Sequence, residues 1–453
     1  MYMDTPFSMK TPFHQFILFT SLLFLLAVPN ASKAYSVLAH EAIIDASWQT
    51  SILPLLKQKY PASADSDLEK ARSYAYGGAL IADMGYFPFG NPYFTNLLHY
   101  VRSGDFVENL LKQATNLNEY AFAIGALSHY LTDRYGHSLA TNVAVPLLYH
   151  NDQKKFGNVV TYDDDHTSHR RMEFAFDVIQ IARGNYLSQA YHNFIGFNVA
   201  VPVLERAFLI TYGEDINTVF KNHLSLTISS FRWSVKTLLP ALTRTAWILK
   251  KEDIVKLNPK ATRKDFHFKM SRKDYYKEFG KEREKPKIDE WFFAILIEIA
   301  PKIGPLKSLK FKDPGPEGEK LFIKGFDTAT ARYDVLLSQL KNTGQIALDD
   351  IDFDTGKPTA PGEYGLADQT YSQLIINLND EQFAHLSAPL KGNIMNFYNK
   401  ADTTTKSNEN KKDKIDWQKT YLALQQLRTK RPVEIDQLQF PVDSASLSTP
   451  KSK

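Results

Sequence analysis

Three side chains that bind metals recur every fourth residue in Gly125-Ala-Leu-Ser-His129-Tyr-Leu-Thr-Asp133-Arg-Tyr-Gly-His137. At helical pitch, His129, Asp133 and His137 stay near one face, drifting about 40° per step. The surrounding residues are largely apolar, so that face is expected to be buried. Burying unpartnered polar groups costs roughly 2–7 kcal/mol each, and far more for a lone carboxylate. A divalent cation would satisfy all three at once. The chain has 12 histidines and no cysteine. Disulfides, cysteine–zinc sites, iron–sulfur clusters and thiol catalysis are therefore excluded. Any metal must be held by His, Asp, Glu, backbone groups or the amino terminus, and His–carboxylate sets suit zinc with an open coordination position.

Further candidates surround the stripe. His169 and Glu173 are again four apart, in Asp163-Asp-Asp-His166-Thr-Ser-His169-Arg-Arg-Met-Glu173. His166, one turn earlier, competes with His169 as the ligand. His99 lies in the apolar context Asn96-Leu-Leu-His99-Tyr100. Asp83 immediately precedes Tyr86-Phe-Pro-Phe-Gly-Asn-Pro-Tyr-Phe94, an aromatic loop that reads either as a substrate rim or as ordinary packing. A rim of this kind could stack a base, hold a choline methyl group or touch lipid.

Apolar residues recur at helical spacing through Leu38, Ile43, Ile44, Trp48 and Ile52, and again through Leu110, Leu117, Ile124 and Leu131. Alternating runs and Asn-Gly or Asp-Gly turns are scarce, which argues against a sheet. The expected fold is all-α, a helical domain over 35–250 followed by a mainly helical region over 251–440 and a frayed tail over 441–453. With 453 residues, 43% hydrophobic and 23% charged, the chain is globular in composition. A net charge of +4 is too mild to imply nucleic-acid binding. Between 250 and 287 basic residues outnumber acidic ones two to one, with aromatics interleaved. This is either a solvated surface or, with the apolar run Trp291–Ala300, a peripheral contact with anionic membrane over 250–300. Asp350-Ile-Asp352-Phe-Asp354-Thr-Gly356 alternates acids like a calcium loop. Its glycine falls one place late and Pro361 replaces the terminal glutamate, so calcium is not assigned there.

Residues 1–34 read as an export signal. Lys10 and His14 precede an apolar run from Phe16 to Val28, shorter than the ~20 residues of a spanning helix. Small residues at Ser32 and Ala34 favour cleavage after Ala34, with cleavage after Ala31 or an uncleaved anchor as alternatives. Export implies a secreted, periplasmic or cell-envelope location.

At these residues the chain resembles the zinc-dependent phospholipase C family. Its superfamily includes the fungal zinc single-strand nucleases and the catalytic domain of glycosylphosphatidylinositol-specific phospholipase D. The resemblance covers roughly residues 35–200 and implies an all-helical phospholipase C/P1 nuclease-like fold holding about three zinc ions. It implies that Tyr35, as the mature amino terminus, and His40 hold one zinc. It further implies that His99, His129 and Asp133 hold a second, with Asp133 bridging to the first, and that His137, His169 and Glu173 hold the third. Asp83 matches the family's active-site aspartate. The usual first residue of the mature family chain is Trp, and here it is Tyr. The four-residue gap from Asp133 to His137, with Ser138-Leu139 following, looks like the phospholipase D branch.

The resemblance implies a zinc-dependent phosphodiesterase with a phospholipid substrate, of phospholipase C type. Phospholipase D-type cleavage of glycosylated inositol lipids, a single-strand nuclease, and a non-catalytic helical binding protein with structural metals are the alternatives.

Overall fold

The computed structural model describes residues 37–183, 197–235, 239–266, 311–399 and 415–435. The export signal, Tyr35, the basic stretch beyond residue 266, the apolar run 291–300 and the tail 441–453 lie outside the described residues. The protein is all-α. No strand occurs among the described residues, where the one β-bridge joins Asp352 to Lys357. None of the described helices is long and apolar enough to cross a membrane.

The longer helices are labelled in chain order. They are α1 (Val37–Ser47), α2 (Asp65–Leu80), α3 (Pro92–Tyr100), α4 (Ser103–Gln113), α5 (Leu117–Gly136), α6 (His166–Arg183), α7 (Val201–Tyr212), α8 (Leu224–Trp233) and α9 (Leu239–Leu257). Beyond the basic stretch follow α10 (Gly315–Thr343), α11 (Gly365–Asp380), α12 (Ala388–Asn399) and α13 (Trp417–Thr429).

Helix α5 is the centre of the molecule. It starts where the Asn116 side chain accepts from the Glu119 backbone N–H, satisfying one of the free donors of the first turn. Its residues from Glu119 to Asp133 are all buried, so the helix has no solvent face over that stretch. Packing on every side explains this. Helices α1, α2, α4 and α10 all lie against it.

The contact with α2 is the closest, and glycine makes it possible. A Cβ on Gly78 would sit 1.9 Å from Phe122 O, and one on Gly125 would sit 2.0 Å from Ala75 O. Any side chain at either place would force the helices apart. Against α10, the Tyr333 ring is fully buried, and its hydroxyl donates to Ile124 O at 3.0 Å. An aromatic buried this way contributes about 1.5–3 kcal/mol. One hydrophobic cluster runs from Val37 to Leu427, so the core crosses the composition shift near Lys250.

Candidate metal centre

The stripe read from the sequence is on α5, and it faces inward. His129 and Asp133 lie within the helix, and His137 opens a π-helical turn, His137–Thr141, that continues from its end. Such wide turns occur often at functional sites. All three side chains are buried.

Two other elements bring partners to this face. His40, on α1, places Nε2 3.2 Å from Asp133 Oδ1, and its ring stacks on that of His129 at 4.3 Å. His99, in the last turn of α3, places Nε2 3.3 Å from Asp133 Oδ2 and 3.6 Å from Asp83 Oδ1. Asp83 projects from a 3-10 turn, Ile81–Tyr86, that follows α2. Two groups result, His40 with His129 and Asp133, and Asp83 with His99 and His129. Within each, the candidate donor atoms lie within 4.8 Å of one another.

Next to them, on α6, His169 Nδ1 lies 3.0 Å from Glu173 Oε1, and His137 Nε2 lies 3.5 Å from the same oxygen. His166 turns away. Its ring packs on Tyr162, with centroids 4.1 Å apart. The structure thus brings together Asp83, His40, His99, His129, Asp133, His137, His169 and Glu173. Tyr35 lies outside the described residues. His129 is shared between two groups, where the sequence reading gave it to one.

The other ring nitrogen of three histidines is occupied. Nδ1 of His99 donates to Thr95 O at 2.9 Å, and Nδ1 of His129 donates to Ala79 O at 2.8 Å. That leaves Nε2 of each, directed at the carboxylates, as the nitrogen that would bind a metal. His169 is reversed, with Nε2 2.9 Å from Asn142 Oδ1 and Nδ1 toward Glu173. The carbonyl that orients His129 belongs to α2, so the glycine contact between α2 and α5 also sets the ligand geometry.

The donor set fits a divalent cation. No hydrogen bond reaches either oxygen of Asp83 or Asp133, Nε2 of His99 or His129, Nδ1 of His169, or Glu173 Oε1. These atoms are buried and converge. Leaving so many polar atoms without hydrogen bonds would cost several kcal/mol, since each unsatisfied group costs about 1–3 kcal/mol. A cation among them would remove that cost.

Without metal, electrostatics in the cluster is strained. Burial pushes Asp83 up to about 7, with Asp133 and Glu173 reinforcing and His129 and His99 opposing. Burial and the neighbouring His129 lower His40 to about 4. Burial opposes a charge on His129, but the Asp133 carboxylate wins and raises it to about 9. Asp133 is held well below the usual carboxylate range, because His129 and His137 outweigh the burial penalty.

The aromatic loop divides. Tyr86, Phe87 and Phe94 are buried, with Phe87 packed on Phe231 and Phe94 between Phe208 and Phe220. Tyr93 is half-buried and donates to Glu214. Only Phe89 stands out, 52% exposed and at φ 63°. The rim thus narrows to that one side chain, and the rest of the loop is packing.

The loop 350–356 contributes what sequence reasoning missed. Its three acids diverge. Asp350 accepts from the backbone N–H groups of Gly104 and Asp105, and Asp352 folds onto its own loop at Asp354 and Thr355. Asp354 points to His137. The alternation of acids was the one available signal, and it gave no hint of a contact with His137.

A search of the curated proteins and a search of the solved structures each found no match. Residues 39–222 match the family model described as zinc dependent phospholipase C. That span holds all eight of the residues gathered at the centre. Residues 39–222 therefore form a domain of the zinc-dependent phospholipase C family.

Proposed function

We propose that the protein is an exported hydrolase that cleaves phospholipid phosphodiesters, of phospholipase C type, at a centre of about three zinc ions. The family domain supports a phospholipid substrate. The observation that carries the reading is the convergence of buried donor atoms without hydrogen bonds around Asp133. His40 and Asp133 would hold one ion, with Tyr35 completing it if cleavage follows Ala34. Asp83, His99 and His129 would hold another, and His137, His169 and Glu173 a third. Zinc supplies Lewis acidity toward phosphate oxygens and a water acidic enough to attack at neutral pH.

The chain's own residues do the rest. Asp83 is the one carboxylate of the cluster pushed toward neutrality, which suits it to hold or accept a proton near pH 7. Asp133 stays ionised and supplies fixed negative charge to both of its neighbouring groups. Backbone carbonyls of α2 and α3 hold two imidazoles in one tautomer, so no reorientation is needed during turnover. The apolar residues that enclose α5 keep bulk water from the donors, which strengthens every charge interaction there.

The test is product analysis with the zinc-loaded protein on phosphatidylcholine vesicles. Diacylglycerol with phosphocholine supports the proposal. Phosphatidic acid would replace it with phospholipase D-type cleavage, and nucleotides from single-stranded DNA with no lipid product would replace it with a nuclease.

A further inference from the structure

We infer that Asp354, supplied by the region after residue 250, is a positioning residue for the metal centre that sets the His137 ring. The inference rests on the reading of His137 as a metal ligand. Asp354 Oδ1 lies 3.1 Å from His137 Nδ1. The opposite nitrogen, Nε2, then faces Glu173 Oε1 at 3.5 Å and Asp133 Oδ1 at 3.9 Å. A carboxylate behind an imidazole fixes its tautomer and makes the other nitrogen a better ligand. His99 and His129 have backbone carbonyls in this role, and His169 has Asn142. His137 has an acid from a distant part of the chain.

Asp354 is itself immobilised. It is 2% exposed. Its Oδ2 accepts from Tyr100 OH at 2.9 Å and from Tyr364 OH. Its backbone carbonyl accepts from Asn142 Nδ2 at 2.6 Å. That asparagine also contacts His169, so one short network reaches two histidines of the same group. The preceding residue extends the brace. Phe353 N–H donates to His99 O at 3.1 Å, and its ring lies 5.1 Å from that of His99 and 5.7 Å from that of His129. The loop therefore does more than cover the domain, because its side chains meet three of the histidines from behind.

The experiment measures zinc affinity of the full chain by chelator competition, and the visible spectrum after cobalt(II) replacement. Asp354→Asn is expected to weaken the affinity about 10–100-fold and to shift the cobalt bands. Asp352→Asn is the control, because its carboxylate accepts from the loop backbone and Thr355 and makes no contact with a histidine of the centre. It is expected to bind like the unaltered protein. Equal affinity in Asp354→Asn and the unaltered chain, or equal loss in both variants, would overturn the inference. Should Asp354→Asn fail to fold, Tyr364→Phe removes one donor to the same carboxylate. A several-fold loss there supports the inference and unchanged affinity overturns it. An unaltered chain that binds no zinc would defeat the metal reading and this inference together, whereas a normal chain with an indifferent Asp354→Asn defeats this inference alone.

Discussion

His129 Nε2 and Asp133 Oδ2, one helical turn apart on α5, lie 3.0 Å from each other without a hydrogen bond between them. Asp133 also lies 3.2 Å from His40 Nε2 and 3.3 Å from His99 Nε2, so a single carboxylate stands at the meeting point of three imidazoles.

That position makes Asp133 the most sensitive residue of the centre. Asp133→Asn should lower zinc content and activity by more than any single His→Ala change. The loss should exceed the roughly 10–100-fold typical of removing an outer-shell partner. Elemental analysis and lipid turnover of the variants check this. Wild-type zinc content with wild-type activity in Asp133→Asn would sink the assignment.

Metal loading should release protons. In the metal-free protein the Asp133 carboxylate raises His129 to about 9, so it carries a proton at pH 8, and His137 is raised as well. A metal must displace those protons. Below about pH 7 Asp83 adds its own. Affinity should therefore rise with pH, and proton release per zinc should be larger at pH 6 than at pH 8. The stability of the metal-free fold should run the other way at Asp83. A carboxyl whose folded value is raised contributes stability below its unfolded value near 4, and that contribution is lost as pH rises toward 7. Calorimetric titration in buffers of different ionisation enthalpy measures the release. Release that does not change between pH 6 and pH 8 would contradict this account.

The α2–α5 contact links packing to ligand placement. Gly125→Ala places a Cβ against Ala75 O, and overpacking of this kind costs about 1–3 kcal/mol or more. The helices must separate, and Ala79 O would then leave His129 Nδ1. Both thermal stability and zinc affinity should fall. A variant with a lower melting temperature but unchanged zinc affinity would show that the carbonyl contact is dispensable.

The aromatic loop gives a separable pair. Phe87→Ala empties a buried site beside Phe231 and should cost about 3–5 kcal/mol of stability. Phe89→Ala removes an exposed ring and should change stability by no more than about 0.5 kcal/mol. If Phe89 meets substrate, its removal lowers turnover on vesicles more than on soluble short-chain lipid. Equal turnover on both would assign Phe89 no part in lipid contact.

The legibility of this site in the sequence follows chain distance. His129, Asp133 and His137 are visible because helical spacing alone puts them on one face, and an apolar setting makes that face costly without a cation. His169 and Glu173 are visible for the same reason. Which of His166 and His169 turns inward was left open, because the answer depends on Tyr162, a loop residue that takes up the His166 ring. Asp354 was visible only as one of three alternating acids, and its contact with the centre could not be read, since 212 positions separate it from Asn142, whose side chain it meets. Local pattern offers no trace of such a contact. The aromatic loop stayed open between rim and packing for a related reason: five rings near an acid look alike in sequence whether they line a mouth or fill a core. The helical character of the region after 250 was legible in outline, but the attachment of α10 through Tyr333 to Ile124 O was not.

The most direct test of the account is zinc stoichiometry by elemental analysis of the full chain after export, with its amino-terminal residue sequenced. The account predicts about three zinc ions per chain, a Tyr35 start, and loss of metal in Asp133→Asn. A chain that retains no zinc after reconstitution would contradict it.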